Sequence, residues 1–411
     1  MEIRRTVQVK LDVPEERHED LKETFYQFKK ACQYVADVGW HADEYVVTSK
    51  SQLHELTYED VRASTDLPAN HVQAARNLAA EALNGCVERL KNGEKTSKPQ
   101  FTSNVVRYDA RTITYKDGSC TLATVNGRVE AEYVLPDGDD NPQTEYLQGD
   151  WEKTSATLHY RDVRQTKSDE PSRTNSSGDG RYYLHIGVRK EIESEETENG
   201  MILGVDLNTR GSLAVSSTGA YWSIEYLNHW RREYERRRKS LQEHGSRYAH
   251  ENVQRVGEKE TGRFKNYFHR VAKEIVEEAV ENGCSVIAME DLERIRDDLN
   301  RWHDWAYRRL YQYVEYKAEE RGIRVTQENP EHTSQRCSKC GFTHPQNRNG
   351  SEFKCGKCGY ENHADYNAAK NVGMKYLRRS KKATGGGAPV GVRLNNGTLK
   401  ANGEYSPTAT G

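Results

Sequence analysis

The sequence predicts a multidomain α/β protein in which a helical block and a β-rich block precede an α/β unit that carries a zinc ribbon. Three observations predict it. From Val13 to about Leu90 the apolar residues recur with helical spacing, and Gly and Pro are rare. From Lys98 to about Lys190 the texture changes to short runs, RTITY, CTLATV and TSATLHY, set between turn-forming clusters such as DGDDNP and SDEPSRTNSSGDG. Beyond residue 199, the short apolar runs ILGVDL and SVIAM bracket a long amphipathic pattern, as strands bracket a helix in an α/β sheet. A chain of 411 residues has room for roughly two to four domains.

Taken in order, residues 1–12 alternate apolar and polar positions and read as the first strand of a β-domain. Residues 13–97 form the helical domain and 98–198 a β-barrel-like domain with long surface loops, closed by the acidic linker 191–198. An α/β domain spans 199–330 and contains a basic, nearly breaker-free helical stretch at 228–281. A zinc ribbon at 331–363 and a last helix at 364–382 follow. The tail 383–411 is rich in Gly, Thr, Asn and Ser and is expected to be disordered.

Charge and hydropathy exclude a membrane-spanning helix, because no apolar run reaches the ~18 residues required. The start, MEIRRTVQVKLDV, lacks the apolar core and cleavage site of a signal peptide, so the expected setting is cytoplasmic. The 61 Lys+Arg nearly cancel the 63 Asp+Glu, and Arg outnumbers Lys by 36 to 25. An Arg-biased, acid-balanced chain stays hydrated at high salt, which points to a halophilic host. The charge is segregated: 228–273 holds 13 Lys/Arg against 6 Asp/Glu, 370–382 six bases and no acid, and 136–150 five acids and no base. A basic helical face turned toward nucleic acid fits this pattern, and so does a solvated helix surface.

Of the 8 cysteines, four fall in the pattern Cys337-Ser-Lys-Cys340, fourteen residues, Cys355-Gly-Lys-Cys358. Each Cys-x-x-Cys knuckle places two thiolates on one side of a metal, and two knuckles close a tetrahedral zinc site that leaves no position for water, so this zinc is structural. Gly341 and Gly359 follow the second cysteine of each knuckle, where the turn calls for positive φ. Cys32, Cys86, Cys120 and Cys284 are scattered and read as core residues.

Three carboxylates sit where an α/β active centre would place them. Asp206 lies inside the apolar strand ILGVDL, where a charge is costly unless it binds a cation. Glu290 ends the run SVIAM, and Asp365 opens the helix-like stretch YNAAKNV. Strand ends and helix starts converge at one edge of an open sheet, so residues 84 and 75 positions apart can meet there. Three such oxygen ligands select magnesium or manganese, and two ions about 4 Å apart suit phosphodiester hydrolysis. Two of the acids have plainer readings, Asp365 as a helix cap and Glu290 as a surface acid with Asp291 as the ligand in its place, and Asp206 is the hardest to explain away.

As a set, the blocks GVDL at 204–207, MEDL at 289–292, TSQRCSKCG at 333–341, FKCGKCG at 353–359 and DYNAAKN at 365–371 resemble the TnpB/OrfB proteins of insertion sequences in content, order and spacing. The likeness is strong over residues 200–380; KPQF at 98–101 and RYDAR at 107–111 carry it more weakly through the first half. The resemblance implies an RNase H-like (RuvC) nuclease with a zinc ribbon inserted before its last helix, with Asp206, Glu290 and Asp365 as catalytic ligands of magnesium or manganese. It further implies an RNA-guided DNA endonuclease, related to type V CRISPR effectors, whose guide RNA comes from the transposon end. The helical (recognition) and β (wedge) domains would then hold guide RNA and double-stranded target DNA with its adjacent motif. Two residues depart from the family pattern: Asn208, where Gly is frequent, and His363, where an acid is common. Near-neutral charge departs as well; stacking is expected to supplement phosphate contacts, with 24 Tyr as material and the run Trp302, Trp305, Tyr307, Tyr311, Tyr313, Tyr316 as a candidate platform or as helix core.

Two other functions compete with this reading. A non-cleaving, guide-dependent or zinc-ribbon DNA-binding protein, a repressor or transposition accessory factor, needs the ribbon and basic helices but gains nothing from Asp206 in an apolar strand. A DNA-joining transposase is weaker still, since no tyrosine-nucleophile motif pairs two histidines with a nearby Tyr.

Overall fold

The computed structural model describes residues 2–41, 45–136, 141–161, 181–192, 200–208, 211–243, 246–291, 301–383, 391–395, 397–400 and 402–407. Most of the acidic linker and the cluster SDEPSRTNSSGDG lie outside them. The chain divides into two units, Glu2–Glu191 and Ile192–Gly411.

In the first unit, β1 (Glu2–Asp12) buries Ile3, Val7, Val9 and Leu11 on one face, as the alternation requires. Three helices follow, α1 (His18–Gly39), α2 (Lys50–Ser64) and α3 (Ala69–Lys91), with a two-residue hairpin, β2 (Trp40–His41) and β3 (Tyr45–Val46), between the first two. Leu21, Phe25, Phe28, Cys32 and Val35 recur every three or four residues along α1, which makes one buried stripe against α2 and α3. The remaining strands, β4 (Val105–Tyr108), β5 (Ile113–Tyr115), β6 (Ser119–Thr124), β7 (Gly127–Val134), β8 (Glu152–Arg161) and β9 (Arg181–Glu191), join β1 in an antiparallel sheet. Its order is β4-β8-β9-β1-β7-β6-β5. A short helix, α4 (Pro142–Gln148), lies between β7 and β8. The Tyr115 hydroxyl on edge strand β5 donates to the Thr154 carbonyl of β8 at 2.8 Å, so the ends of the sheet curl toward each other and the sheet is nearly a barrel. The expected helical and β domains are one unit, because α1 and α3 pack directly on β4.

The second unit is built on a sheet of order β12-β11-β10-β13-β14. Strands β10 (Met201–Leu207), β11 (Ser212–Ser216) and β12 (Tyr221–Ser223) form an antiparallel meander. Helices α5 (Glu225–Glu243) and α6 (Arg247–Glu281) lead to β13 (Cys284–Glu290), parallel to β10, and α7 (Arg301–Glu319) leads to β14 (Arg324–Glu328), parallel to β13. Helical crossovers bury both faces of the central strands β10 and β13, which is why those two runs are mostly apolar, whereas the outer strand β14 (RVTQE) is polar and partly exposed. The ribbon strands β15 (Arg348–Asn349), β16 (Glu352–Lys354) and β17 (Glu361–His363) run without a break into α8 (Ala364–Ala383). Helix α8 lies against β10 so closely that a Cβ on Gly204 would stand 2.1 Å from the Ala369 carbonyl oxygen. Only glycine permits that approach.

The tail corrects an expectation. The tail 383–411 was expected to be disordered; residues 384–390, 396, 401 and 408–411 lie outside the described set, but β18 (Gly391–Val392) pairs parallel with Met201 and Ile202 of β10, and β19 (Gly397–Leu399) forms a hairpin with β20 (Tyr405–Pro407). Its polar composition misled because glycines there are used for close contact: a Cβ on Gly403 would meet the Tyr221 ring at 2.5 Å, and one on Gly397 the Tyr405 hydroxyl region. No helix among the described residues is long and apolar enough to cross a membrane.

Candidate active site and zinc ribbon

The four cysteines converge as their spacing requires. Their sulfur atoms all lie within 4.8 Å of one another, with Cys337 Sγ 3.7 Å from Cys358 Sγ and Cys340 Sγ 3.6 Å from Cys355 Sγ. A tetrahedron with zinc–sulfur bonds of ~2.3 Å has edges of about 3.8 Å, so the set fits zinc. The two knuckles repeat one hydrogen-bond pattern: Gly341 N–H donates to the Cys337 carbonyl at 2.8 Å and Gly359 N–H to the Cys355 carbonyl at 3.0 Å. Both glycines hold positive φ, 77° and 68°, as expected. Cys32, Cys86, Cys120 and Cys284 are buried core residues, and burial pushes the Cys32 and Cys284 thiols up to about 12.

Asp206, Glu290 and Asp365 come together from β10, β13 and the first turn of α8, and all three are buried, at 3%, 6% and 4% exposure. Burial above all, then the nearby Glu290 and Asp365 charges, drives the Asp206 carboxyl well above the usual range. Burial likewise pushes Glu290 up to about 7, against the opposing hydrogen bond from Thr333. Buried together, these carboxylates form an oxygen donor set that a divalent cation would satisfy. Asp291, the alternative ligand, lies instead beside Tyr311, with its N–H on the Glu328 carbonyl.

The sequence reading gives several neighbours of these acids no supporting role, noting Asn208 and His363 only as departures from the family pattern. Asn208 donates to Asp206 Oδ2 at 2.6 Å and to Ser212 Oγ at 3.1 Å, and Ser212 Oγ donates to Asp365 Oδ2 at 2.9 Å, so the residue that departs from the family pattern braces the site. Thr333 Oγ1 donates to Glu290 Oε1 at 2.6 Å. Arg348, from the ribbon, donates through Nη2 to Asp365 Oδ1 at 2.8 Å and brings a positive charge to the acids. Buried His363 accepts the Asp365 N–H at its Nδ1, 3.2 Å away, and burial lowers its basicity. Asn367 and Asn371, one turn apart on α8, bind the ribbon loop: Asn367 bridges the Ser338 N–H and the Arg336 carbonyl, and Asn371 donates to the Thr333 and Arg336 carbonyls. The available signal was their i, i+4 spacing after Asp365, which puts both amides on one helix face.

The aromatic run on α7 serves the core. Tyr307 is buried and its hydroxyl donates to the Asn208 carbonyl, while Tyr313 stacks on His269 at 3.8 Å and Tyr316 hydrogen-bonds the same ring. The side chains of Trp302 and Trp305 lie outside the described set. Along α5 and α6 much of the basic charge is paired within the hairpin, Arg231 with Glu235, Arg236 and Arg237 with Glu233, and Arg238 with Glu260. A cleft of about 700 Å³ between these helices nonetheless has Arg237, Lys259, Arg263 and Arg270 beside Tyr226 and Tyr267, and no acid among its lining residues.

Against known proteins, the family model "Cas12f1-like, TNB domain" matches residues 307–372. A CRISPR-associated endodeoxyribonuclease Cas12f1 from Sulfoacidibacillus thermotolerans is 38% identical over 211 residues, 47% of this chain and 50% of that protein. InsQ of Escherichia coli K12, described as an RNA-guided DNA endonuclease, is 25% identical over 244 residues, 52% of this chain and 59% of that protein. The chain thus spans about half the length of the curated relatives it matches. Among solved structures, a Cas12f1–sgRNA–target DNA complex superposes with a TM-score of 0.60 at 15% identity, covering 90% of this chain and 99% of that one, which speaks to the fold alone.

Proposed function

We infer that this chain, a relative of the TnpB-like type V effectors, is an RNA-guided DNA endonuclease whose RNase H-like (RuvC) unit hydrolyses phosphodiesters at Asp206, Glu290 and Asp365. The observation that carries the reading is the burial of three carboxylates from β10, β13 and α8 in one place, two of them, Asp206 and Glu290, made much weaker acids by that burial. A binder has no use for that arrangement. Held there, magnesium or manganese would activate water and offset charge on the phosphate. The chain's own groups do the rest. Asn208 and Ser212 fix the orientations of Asp206 and Asp365, Thr333 fixes that of Glu290, and Arg348 places a guanidinium where negative charge gathers. The four-cysteine zinc ribbon presents Arg348 and, through Asn367 and Asn371, anchors α8.

Guide RNA from the transposon end and double-stranded target DNA are the partners this reading supplies, with an insertion sequence as the genetic setting. The acid-free cleft between α5 and α6 supports a nucleic-acid strand along that hairpin. The test is cleavage of a plasmid library by protein purified with co-expressed transposon-end RNA, in high potassium chloride with magnesium, beside Asp206→Ala. Guide-dependent cutting that vanishes in the variant, with DNA binding kept, is the expected result. Binding without cutting by the wild-type protein would make it a non-cleaving DNA-binding protein instead.

A further inference from the structure

We propose that residues 391–395, 397–400 and 402–407 form a strap that positions the first turn of α8, and with it Asp365, and that Asn362 is the positioning residue through which the strap acts. The proposal rests on the reading of Asp206, Glu290 and Asp365 as a divalent-cation site. Strand β11 pairs with β10 only from Val205 to Leu207. Strand β18 takes the rest of that edge at Met201 and Ile202, and Arg393 N–H donates to the Ile202 carbonyl at 2.8 Å. Without the strap, those backbone groups of β10, a strand buried from Ile202 to Leu207, would lose these partners.

From there the strap crosses to the helix. The Arg393 carbonyl accepts from Ser217 Oγ at 2.8 Å, and the Asn395 carbonyl accepts from the Tyr366 hydroxyl at 2.7 Å. Leu399 is 2% exposed and packs on Val215 and Tyr366, and the Tyr405 ring meets Tyr366 edge-on at 5.9 Å. Asn362 closes the clamp: its amide donates to the Gly397 carbonyl at 2.9 Å, and its carbonyl oxygen accepts the Leu399 N–H at 3.0 Å and the His363 N–H at 2.9 Å. Gly403 abuts Tyr221, whose ring stands edge-on to His363, and His363 in turn holds the Asp365 N–H. The strap therefore grips the chain on both sides of the carboxylate, at residues 362–363 before it and Tyr366 after it, and among the described residues no hydrogen bond joins the strap to Asp206, Glu290 or Asp365 themselves.

Three proteins are compared in full length: wild type, Asn362→Ala, which opens the clamp, and Gly403→Val, which wedges the hairpin off Tyr221. Binding of Mn2+ is read by electron paramagnetic resonance, beside thermal melts. The expected outcome is a roughly tenfold rise in half-saturating Mn2+ in both variants, with melting temperature nearly unchanged in Asn362→Ala. Unchanged Mn2+ binding in Asn362→Ala overturns the strap's role even if Gly403→Val fails to fold. If the wild-type protein binds no Mn2+, the cation-site reading falls. The strap is then judged by hydrogen exchange at the amides of 365–368: faster exchange in Asn362→Ala supports it, and equal exchange overturns it.

Discussion

Replacing Glu290 by Gln should stabilise the protein in the absence of divalent cations while abolishing its response to them. In the cation-free fold, burial among acids carries this carboxyl from 4.5 to about 7. At ~1.4 kcal/mol per decade that shift corresponds to about 3 kcal/mol. The sign follows from proton uptake: between pH 4.5 and 7 the folded state keeps a proton the unfolded state has lost, so stability falls with rising pH and levels off above 7. Gln keeps the shape and the hydrogen bond with Thr333 but never ionises. Its advantage should be near zero at pH 4.5 and grow to about 3 kcal/mol by pH 8, or roughly 6–12 °C in melting temperature for a unit of this size. The assay is a pair of melts across pH 4.5–9 in magnesium-free buffer that leaves zinc bound, repeated with magnesium, which should raise the wild-type curve at pH 8 and leave Glu290→Gln unmoved. Parallel pH profiles for the two proteins would refute the reasoning, because they would mean that Glu290 does not sit protonated among other acids.

Ser at both Cys337 and Cys340 should release zinc by metal analysis and lower the melting temperature. Full zinc content in the double variant would refute the four-sulfur assignment. Asn371→Leu removes a buried amide that serves two carbonyls and should cost ~2–3 kcal/mol in denaturant unfolding; a cost under about 0.5 kcal/mol would mean that water replaces the amide. Arg348→Gln keeps a donor but removes the charge beside Asp365, and it should cut the cleavage rate at saturating magnesium at least tenfold with target binding intact. Equal losses of binding and cleavage would assign Arg348 to the ribbon's fold.

What was legible in the sequence was whatever rests on local periodicity or rigid spacing. The knuckles could be read because two cysteines three apart leave a thiolate pair little freedom, and Asp206 because a charge inside an apolar strand demands a reason. The order β10, β13, α8 followed from run lengths. What resisted reading depends on long-range partners. Arg348 looked like any ribbon surface cation, and nothing local shows that it reaches Asp365 seventeen residues on. Asn208 looked like a departure from pattern, yet its amide fills the gap between Asp206 and Ser212. The tail failed most plainly: Gly, Asn and Thr read as disorder in isolation, whereas here the glycines admit Tyr221 and Tyr405 and the backbone completes a strand edge. The helical face at 228–273 was read by counting charge, but i, i+3 and i, i+4 pairing decides how much of it is free.

The contact at Gly204 has a meaning for anyone who would transplant this centre. Strand and helix touch backbone to backbone there, two residues before Asp206 and four after Asp365, with no side chain as a spacer. The gap between two of the three acids is therefore set by a hydrogen atom, the smallest gauge block the amino-acid alphabet offers. A graft that copies the acids onto another sheet without that glycine would inherit the letters of the site with the wrong interval between them. Libraries meant to retune the centre should hold residue 204 constant and vary Asn208, Ser212 and Thr333, where side chains rather than backbones set the geometry.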